Sequence, residues 1–336
     1  MMHNNHTDTT APVFCLLTII SLVLPACMPS SPHVQPAENC AVELIVLGTG
    51  QDAGAPQIGN THDPTWANPD LRLTATALGL VDHPSQQRFL FEATPHISEQ
   101  LQRLDTLTSA PESGLGVDGV LLTHAHIGHY AGLMYFGREA AGSQSVRVYT
   151  MPRMQRFLED NGPWSQLVGL GNIDLRTLQD GQAEKLTDRL SVTPVQVPHR
   201  DEYSETVGYL LQTQEKSAFF VPDIDDWDRW ERDYGLSIES LVTQVDYAFV
   251  DATFFDDNEL PGGDMSHIPH PRVLDTMDRL AHLPLAQRQG VHFIHYNHTN
   301  PIRFSDSEAS QKVSARGFSI AREGQTLCLS TTLSQP

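Results

Sequence analysis

Three histidines lie within six positions of the sequence, directly after an apolar run. His124, His126 and His129 follow Val117–Thr123, which has the composition of a buried β-strand. Side chains at the end of one strand can converge on one point, and neutral imidazole is a good zinc ligand. A bound zinc ion makes water a nucleophile near neutral pH. The run therefore predicts a metal site suited to hydrolysis, with surface or helix-capping histidines as the alternative.

Three more predicted strands end at a residue type that binds metal ions. They are Leu190–Val197 before His199, Ser217–Val221 before Asp223, and Gly290–Ile294 before His295. Ligands that come from distant parts of a chain and sit at strand ends can form a rigid metal site. One such strand end means little, but several in one chain are difficult to explain as turns and caps.

The rest of the pattern predicts strands in both halves of the chain, with helices between them. The other predicted strands are Ala41–Leu47, Leu71–Val81, Arg88–Phe91, Val146–Thr150, Thr206–Gln212 and Ala248–Val250, with a terminal hairpin of Phe318–Ala321 and Thr326–Leu329. The predicted helices are His96–Leu104, Ala131–Ala141, Pro152–Glu159 and His270–Leu283. This order predicts an α/β (α+β) domain over residues 41–336, folded as an αββα sandwich.

Composition limits the partners of this chain. Its 336 residues are 40% hydrophobic, which is enough for a sizeable core, and its formal net charge is −20. Such an acidic chain is unsuited to nucleic acid or to an anionic membrane surface. A small-molecule substrate is therefore the expected partner.

The N-terminal region predicts export. Val13–Leu24 is apolar but too short to span a bilayer, which is typical of a signal peptide. It ends at Leu24-Pro-Ala-Cys27, which resembles a bacterial lipobox. We therefore predict a lipoprotein-type signal peptide (1–26), a Pro- and Ser-rich tether (27–40) and a lipid anchor in the periplasm or cell envelope. The first twelve residues contain no Lys or Arg, so a plain secretory peptide with a soluble periplasmic product, or a misassigned start, remains an alternative.

Two cysteines would remain in the mature domain after such cleavage. Cys40 and Cys328 each lie beside a predicted terminal strand. In an oxidising compartment they can form a disulfide, although the sequence does not give the distance between them.

The histidine run resembles the His-x-His-x-Asp-His motif of the metallo-β-lactamase fold hydrolases, and the resemblance spans roughly Glu43–Leu329. It implies one metal bound by three histidines and a second metal that shares one aspartate with the first. The implied ligands are His124, His126 and His199 for the first metal, His129 and His295 for the second, and Asp223 between them. Asp223 would also have a catalytic role by holding the nucleophile.

Other stretches are similar to one branch of that superfamily, which contains ribonuclease Z, cyclic-phosphate phosphodiesterases and the pyrroloquinoline-quinone biosynthesis protein B family. The similar stretches are the Gly-rich turn Gly48–Pro56 and the segments Glu92–His96, Asp251–Phe254 and Phe293–Pro301. The protein B family has a cysteine cluster for a structural zinc where this chain has Gln57–Trp66, which contains no cysteine. No structural zinc is expected there.

Gly128 stands where the superfamily has the aspartate of its motif. The second metal site should therefore be weaker, unless Asp52 or His298 supplies the missing ligand, and a single metal is the alternative. His298 could equally be a turn residue that binds the backbone. Replacing Gly128 with aspartate should raise the metal content, provided that Gly128 does not have a positive φ.

Further polar residues each allow more than one role. His267 and His270 precede a predicted helix and could line a substrate pocket, with His267 as a catalytic residue; helix capping by Ser266 beside bystander histidines is the alternative. Asp251 could orient a ligand histidine. The acidic residues Asp225, Asp226 and Asp228 are interpreted as a solvated face.

The sequence thus predicts an exported metal-dependent hydrolase with one or two zinc ions, or iron. A metal-bound hydroxide would attack a phosphodiester, a cyclic phosphate or another ester-like bond. Two other hypotheses remain: a protein of quinone-cofactor metabolism, with iron as its metal, and a non-catalytic lipoprotein that binds a ligand or metal. The substrate class is inferred from resemblance, because a fold by itself does not determine function.

Overall fold

The structure is a computed structural model that describes residues 1 and 40–331, apart from 111–113, 261 and 263. The predicted signal peptide, the lipidation site at Cys27 and nearly all of the predicted tether lie outside these residues. From Cys40 onwards, the described chain belongs to one compact unit. In that described part, no helix is both long enough and apolar enough to cross a membrane.

The first sheet is formed mainly by the N-terminal half of the chain. Its strands in chain order are β1 (Cys40–Gly48), β2 (Ala77–Asp82), β3 (Gln87–Phe91), β4 (Gly119–Leu121), β5 (Val146–Thr150) and β6 (Ile173–Thr177). Strands β1, β2 and β3 pair antiparallel, whereas β3, β4, β5 and β6 pair parallel. Strands β1, β3 and β4 therefore run in the same direction and end at the same edge.

The second sheet is formed by the C-terminal half. Its strands are β7 (Glu184–Lys185), β8 (Ser191–Gln196), β9 (Val207–Gln212), β10 (Ser217–Val221), β11 (Tyr247–Asp251), β12 (Val291–Ile294) and β13 (Ser319–Ile320). Strands β10 to β13 pair parallel, and β8 runs in their direction because β9 lies antiparallel between β8 and β10. The last strand, β14 (Thr326–Thr331), returns to the first sheet and pairs with β1.

The two sheets enclose a shared apolar core. Phe91 of β3 lies with its ring centroid 5.5 Å from that of Tyr209 in β9 and 5.9 Å from that of Phe220 in β10. Alternate residues of β1 point to opposite sides, because side chains alternate along a strand. Leu44 joins the core between the sheets, while Ile45 joins an outer core with the helices of the N-terminal half. The predicted αββα sandwich is confirmed.

The helices cover the outer faces of the sheets or lie at their edges. In chain order they are α1 (Ile97–Thr108), α2 (Ile127–Tyr130), α3 (Pro152–Asp160), α4 (Trp164–Gly169), α5 (Trp227–Tyr234), α6 (Ile238–Val242), α7 (Val273–Arg279), α8 (Leu285–Gln289) and α9 (Glu308–Ala315). The helix predicted over Ala131–Ala141 is instead a 3₁₀ segment, Ala131–Phe136.

The predicted terminal hairpin is wrong. Strand β13 pairs with β12 in the second sheet, whereas β14 pairs with β1 in the first. The turn after Ala321 therefore carries the chain from one sheet to the other. The open edges of β1 and β12 both expose backbone N–H and C=O groups that require hydrogen-bond partners. Strand β14 supplies these partners to β1, and β13 supplies them to β12.

A disulfide joins Cys40 to Cys328, with their Cα atoms 5.6 Å apart. The two residues lie in β1 and β14, which are neighbouring strands. The predicted pairing is therefore present in the structure, and it ties the first described strand of the domain to the last.

A buried ion pair anchors the loop in which the related family has its cysteine cluster. The guanidinium of Arg303 donates two hydrogen bonds to Asp63, of 2.8 and 3.1 Å, and one of 2.7 Å to Thr65. Burial alone would raise the pKa of Asp63, but the hydrogen bonds from Arg303 and Thr65 to its carboxylate and the charge of Arg303 lower it to about 2. The ion pair thus connects residues 57–71 to the segment after β12.

Replacing Asp63 with asparagine should destabilise the fold by about 2 kcal/mol near neutral pH. Because the folded-state pKa lies below the ordinary 3.8, the stabilisation is fully present above about pH 4 and is lost as the pH falls towards about 2. Urea unfolding of both proteins across this range measures the difference. The exposed control Asp70→Asn should show no such pH-dependent difference, and a difference that stays constant for Asp63→Asn would contradict the prediction.

Candidate metal centre

The candidate site lies where strands of both sheets end side by side. Strand β4 leads to the three clustered histidines, and β8, β10 and β12 lead to His199, Asp223 and His295. These strands end at the same edge of their sheets, and the sheets pack face to face. Polar side chains from distant parts of the sequence therefore meet there, as is usual at the carboxyl ends of parallel strands.

The first group contains His124, His126, His199 and Asp223. His199 Nε2 lies 3.2 Å from His126 Nδ1 and 3.3 Å from Asp223 Oδ1. His124 Nε2 lies 3.4 Å from Asp223 Oδ2. Four ligands placed around a zinc ion at about 2.0–2.1 Å lie about 3.3 Å from each other. These three separations fit that spacing, and the four ligand atoms all lie within 4.8 Å of one another.

The second group contains Asp52, His129 and His295. The Nε2 atoms of His129 and His295 lie 3.6 and 3.9 Å from Asp223 Oδ2. His129 Nε2 also lies 3.8 Å from Asp52 Oδ1. Asp223 Oδ2 thus faces both groups, so one carboxylate can be shared by two neighbouring ions.

The hydrogen bonding of these side chains fits a metal. The buried Nε2 atoms of His124, His129 and His295 and the Oδ1 atom of Asp223 have no hydrogen-bond partner in the described part of the chain. Buried polar atoms without partners are costly, so a structure that aims several of them at one space implies a ligand there. A cation with nitrogen and carboxylate ligands meets this requirement, and zinc is a cation of that kind.

Carboxylates outside the two groups hold two of these rings in place. His199 Nδ1 lies 3.0 Å from Asp225 Oδ1, and Asp225 also binds Arg229 at 2.5 Å. His126 Nε2 lies 3.3 Å from Glu202 Oε2. The interpretation of Asp225 as part of a solvated face is wrong, because the turn after β10 directs it towards His199. Such partners fix which ring nitrogen faces the metal.

Glu92 orients two further ligands, and sequence reasoning missed it. Its Oε1 atom accepts a hydrogen bond of 2.6 Å from Thr123 and lies 3.2 Å from His129 Nδ1. Thr123 Oγ1 in turn lies 2.9 Å from His124 Nδ1. Glu92 is fully buried and has a positive φ of 76°. An acidic residue directly after the buried strand β3 was the available signal.

His270, Asp251 and Thr253 form a third group of polar residues next to Asp223. His270 Nδ1 lies 2.8 Å from Asp251 Oδ2 and 3.3 Å from Asp223 Oδ1. Thr253 Oγ1 donates a 2.7 Å hydrogen bond to Asp251 Oδ1 and lies 3.2 Å from His295 Nδ1. Asp251 therefore supports the ligand His295 through Thr253 and holds His270 beside Asp223.

The other two candidate histidines lie outside these groups. His267 is exposed on the loop before His270, and its catalytic role stays a prediction. His298 Nδ1 lies 2.8 Å from Asn297 Oδ1, so this nitrogen is engaged within its own turn. Neither residue belongs to a group of possible metal ligands among the described residues.

The electrostatics of the site favour a bound cation. Burial alone would lower the pKa of His129, but the carboxylates of Glu92 and Asp223 outweigh it and raise the pKa to about 10. Burial would raise the pKa of Asp223, but the surrounding imidazoles, His199 foremost, hold that pKa well below its ordinary value. The site therefore stabilises positive charge around an ionised Asp223.

Replacing Glu92 with glutamine should weaken metal binding by about 10–100-fold, because a neutral amide removes the charge 3.2 Å from His129 Nδ1 and the charged hydrogen bond to Thr123. Competition with a chromophoric chelator measures the affinity. Glu139→Gln is the matched control, since Glu139 is exposed and its carboxylate lies beside the neighbouring Arg138. Equal affinities in the two variants would show that Glu92 does not act through the ligands.

Comparisons with known proteins show the family and the fold of this chain. A family model described as "Beta-lactamase superfamily domain" matches residues 87–296. The coenzyme PQQ synthesis protein B of Methylorubrum extorquens (strain PA1) is 24% identical over 316 residues, which cover 86% of this chain and all of that protein.

Two solved structures share the fold. A zinc-bound PqqB from Methylobacterium extorquens has a TM-score of 0.68 and 22% identity, covering 85% of this chain and all of that chain. A diphosphatase from the PhnP family has a TM-score of 0.59 and 20% identity, covering 85% of this chain and 96% of that chain. The predicted resemblance to the metallo-β-lactamase fold and to this branch is confirmed.

Proposed function

This chain belongs to the beta-lactamase superfamily, and on that premise we propose that it is a metal-dependent hydrolase of phosphodiesters or cyclic phosphates that uses two zinc ions. One observation carries the proposal. The Asp223 carboxylate faces two groups of histidine nitrogens, at 3.3–3.4 Å on one side and 3.6–3.9 Å on the other. Two adjacent metal ions are a recurrent arrangement in enzymes that cleave phosphate esters.

The protein's own residues would hold and orient the reacting groups. Bound zinc supplies an activated water and a Lewis acid for the phosphoryl oxygen. Asp223 would hold both ions, and the hydrogen bond of His270 to Asp251 keeps the His270 ring beside Asp223 Oδ1. We further propose that His267 contacts the substrate, because it is exposed only three residues before His270.

The likeness to a PhnP-family diphosphatase supports a substrate that contains a phosphate group. The acidic chain argues against a nucleic-acid polymer, because its net charge of −20 repels a polyanion. A small phosphodiester, whose charge two metal ions can neutralise, therefore fits better.

A direct test uses the zinc-loaded protein with an aryl phosphodiester and with nucleoside cyclic phosphates. We expect hydrolysis that is lost in His199→Ala and kept in His282→Ala, since His282 is exposed and its Nδ1 atom lies 3.0 Å from the Arg279 carbonyl oxygen. A fully metal-loaded protein that cleaves none of these esters would refute the proposed activity. It would then favour the non-catalytic binding protein.

A role in quinone-cofactor metabolism is the second candidate. It is favoured by the similarity to PQQ synthesis protein B, which covers 86% of this chain. Expression in a PQQ-producing bacterium that lacks protein B separates the two functions. Restored PQQ formation, together with PQQ-forming activity of the iron-loaded protein, would support this role. PQQ formation should not be restored if the chain is a phosphodiesterase.

We also propose that the protein is exported and lipid-anchored at Cys27. The disulfide between Cys40 and Cys328 supports export, because structural disulfides persist in oxidising compartments. The membrane would be contacted through the lipid alone.

Mass spectrometry of the membrane fraction should find a diacylated N-terminus at Cys27. Replacing Cys27 with serine should shift the protein from the membrane to the soluble fraction, because one or two acyl chains provide the anchoring energy. An intact Met1 on cytosolic protein would contradict export.

A further inference from the structure

We propose that Asp52 is the carboxylate ligand of the second metal, and that Asp52 and Gly128 together replace the aspartate that the superfamily has at position 128. The carboxylate would then come from the loop after β1 instead of from the histidine motif. This inference rests on the proposed two-metal site and is independent of the substrate.

Gly128 is required by space and not by backbone conformation. Its φ is not among the positive values. A Cβ atom at position 128 would instead lie 2.5 Å from the Cα atom of Asp52, 2.9 Å from its Oδ1 atom and 3.0 Å from its carbonyl oxygen. Contacts this short with a backbone are not tolerated without a shift. Asp52 therefore occupies the space that a side chain at position 128 would need.

Asp52 is held in this place at a conformational cost. Its φ is +41°, and L-residues other than glycine rarely adopt positive φ. Strained residues of this kind cluster at functional sites, where the surrounding structure enforces them. A purely structural turn at this position would favour glycine, so the aspartate side chain is the feature that the strain preserves.

The loop that carries Asp52 is tied to the second metal site. The backbone N–H of Gln51 donates to the carbonyl of Tyr296, and the N–H of Tyr296 donates to the carbonyl of Thr49, both at 3.0 Å. Tyr296 directly follows the ligand His295. Two backbone hydrogen bonds therefore tie the residues directly before Asp52 to the residue directly after His295.

The side chain of Asp52 is suited to binding a cation. Its Oδ1 atom lies 3.8 Å from His129 Nε2, and it forms a group with His129 and His295. It is 38% exposed, so an ion can reach it from solvent. His298, the other candidate for the missing ligand, has its Nδ1 atom 2.8 Å from Asn297. The geometry thus favours Asp52.

These contacts change the expectation for Gly128→Asp. The sequence predicts that this substitution raises the metal content unless φ is positive. In the structure the obstacle is steric and not a positive φ, because the new Cβ atom would clash with the Asp52 backbone. The single variant should therefore lose thermal stability and gain no metal.

The decisive measurement is a zinc titration of the metal-free full-length protein, with stoichiometry and affinity read by a competing chelator. Wild type should bind two ions. Asp52→Asn, which removes the charge and keeps the shape, should weaken the second ion by about 100-fold and leave the first unchanged. The matched control Asp70→Asn changes an exposed aspartate and should bind like wild type.

A second variant separates the carboxylate from the backbone conformation. Asp52→Gly removes the side chain and tolerates the positive φ, so it should lose the second ion and keep the first. Unchanged two-ion binding in Asp52→Asn or Asp52→Gly, or a wild type that binds only one ion, would overturn the inference. A protein that binds two ions but hydrolyses nothing would refute only the proposed activity.

Discussion

Replacing Asp223 with asparagine should abolish binding of both metal ions and lower phosphodiester hydrolysis by at least about 10³-fold. Metal ions contribute several kcal/mol to such reactions, and each 1.4 kcal/mol corresponds to about a factor of ten in rate. The buried Asp223 carboxylate faces the Nε2 atoms of His124, His129, His199 and His295 within 3.9 Å. An amide has the same shape but lacks the charge that holds two cations together.

Metal analysis after dialysis and steady-state kinetics measure this effect. Asp225→Asn is the graded control, since Asp225 contacts the outer nitrogen of His199 at 3.0 Å. It should lower metal affinity by only about 10–100-fold. Two tightly bound ions in Asp223→Asn would disprove the bridging role.

Removing the metals with a chelator should lower the melting temperature by roughly 10 °C and eliminate activity. A ligand present at about 1,000 times its Kd stabilises the folded state by about 4 kcal/mol. In a chain of this size, about 1 kcal/mol corresponds to roughly 2–4 °C. Without the ions, the buried nitrogens of His124, His129 and His295 lose their partners, and their desolvation is no longer offset.

Calorimetry with and without chelator checks this prediction, and added zinc should restore both the melting temperature and the activity. His199→Ala provides the control, because a protein that binds metal poorly should melt at nearly the same temperature in both conditions. A wild-type melting temperature that does not respond to the chelator would show that the site is complete without an ion.

Local patterns were sufficient to predict the fold class. The αββα sandwich followed from the alternation of strands and helices. Edge pairing was different: β14 lies beside β1 and β13 beside β12, whereas the sequence favoured a hairpin. A short turn between two strands predicts a hairpin locally, but the open edges of two large sheets compete for the same strands. Only the packed sheets decide that competition.

Most candidate metal ligands were also readable from the sequence, because His124, His199, Asp223 and His295 lie one to three residues after a strand. A strand end fixes the direction of the next few residues, so the residue types there carry information about the site. The residues that orient the ligands were less accessible. Glu92 directly follows β3 and Asp225 follows β10 by four residues, but their roles depend on which ring nitrogen each faces.

By itself the sequence determined that a run of imidazoles stands at the end of β4 without the usual aspartate, because those neighbours are joined by the chain. Tertiary structure alone decided that Asp52 fills the space beside Gly128. These two residues are 76 positions apart. A Cβ atom projected from Gly128 lies 2.5 Å from the Cα atom of Asp52 only because β1 and β4 end at the same edge of one sheet. A local pattern can reveal a missing ligand, but its replacement depends on steric contact between segments that only the folded sheets bring together.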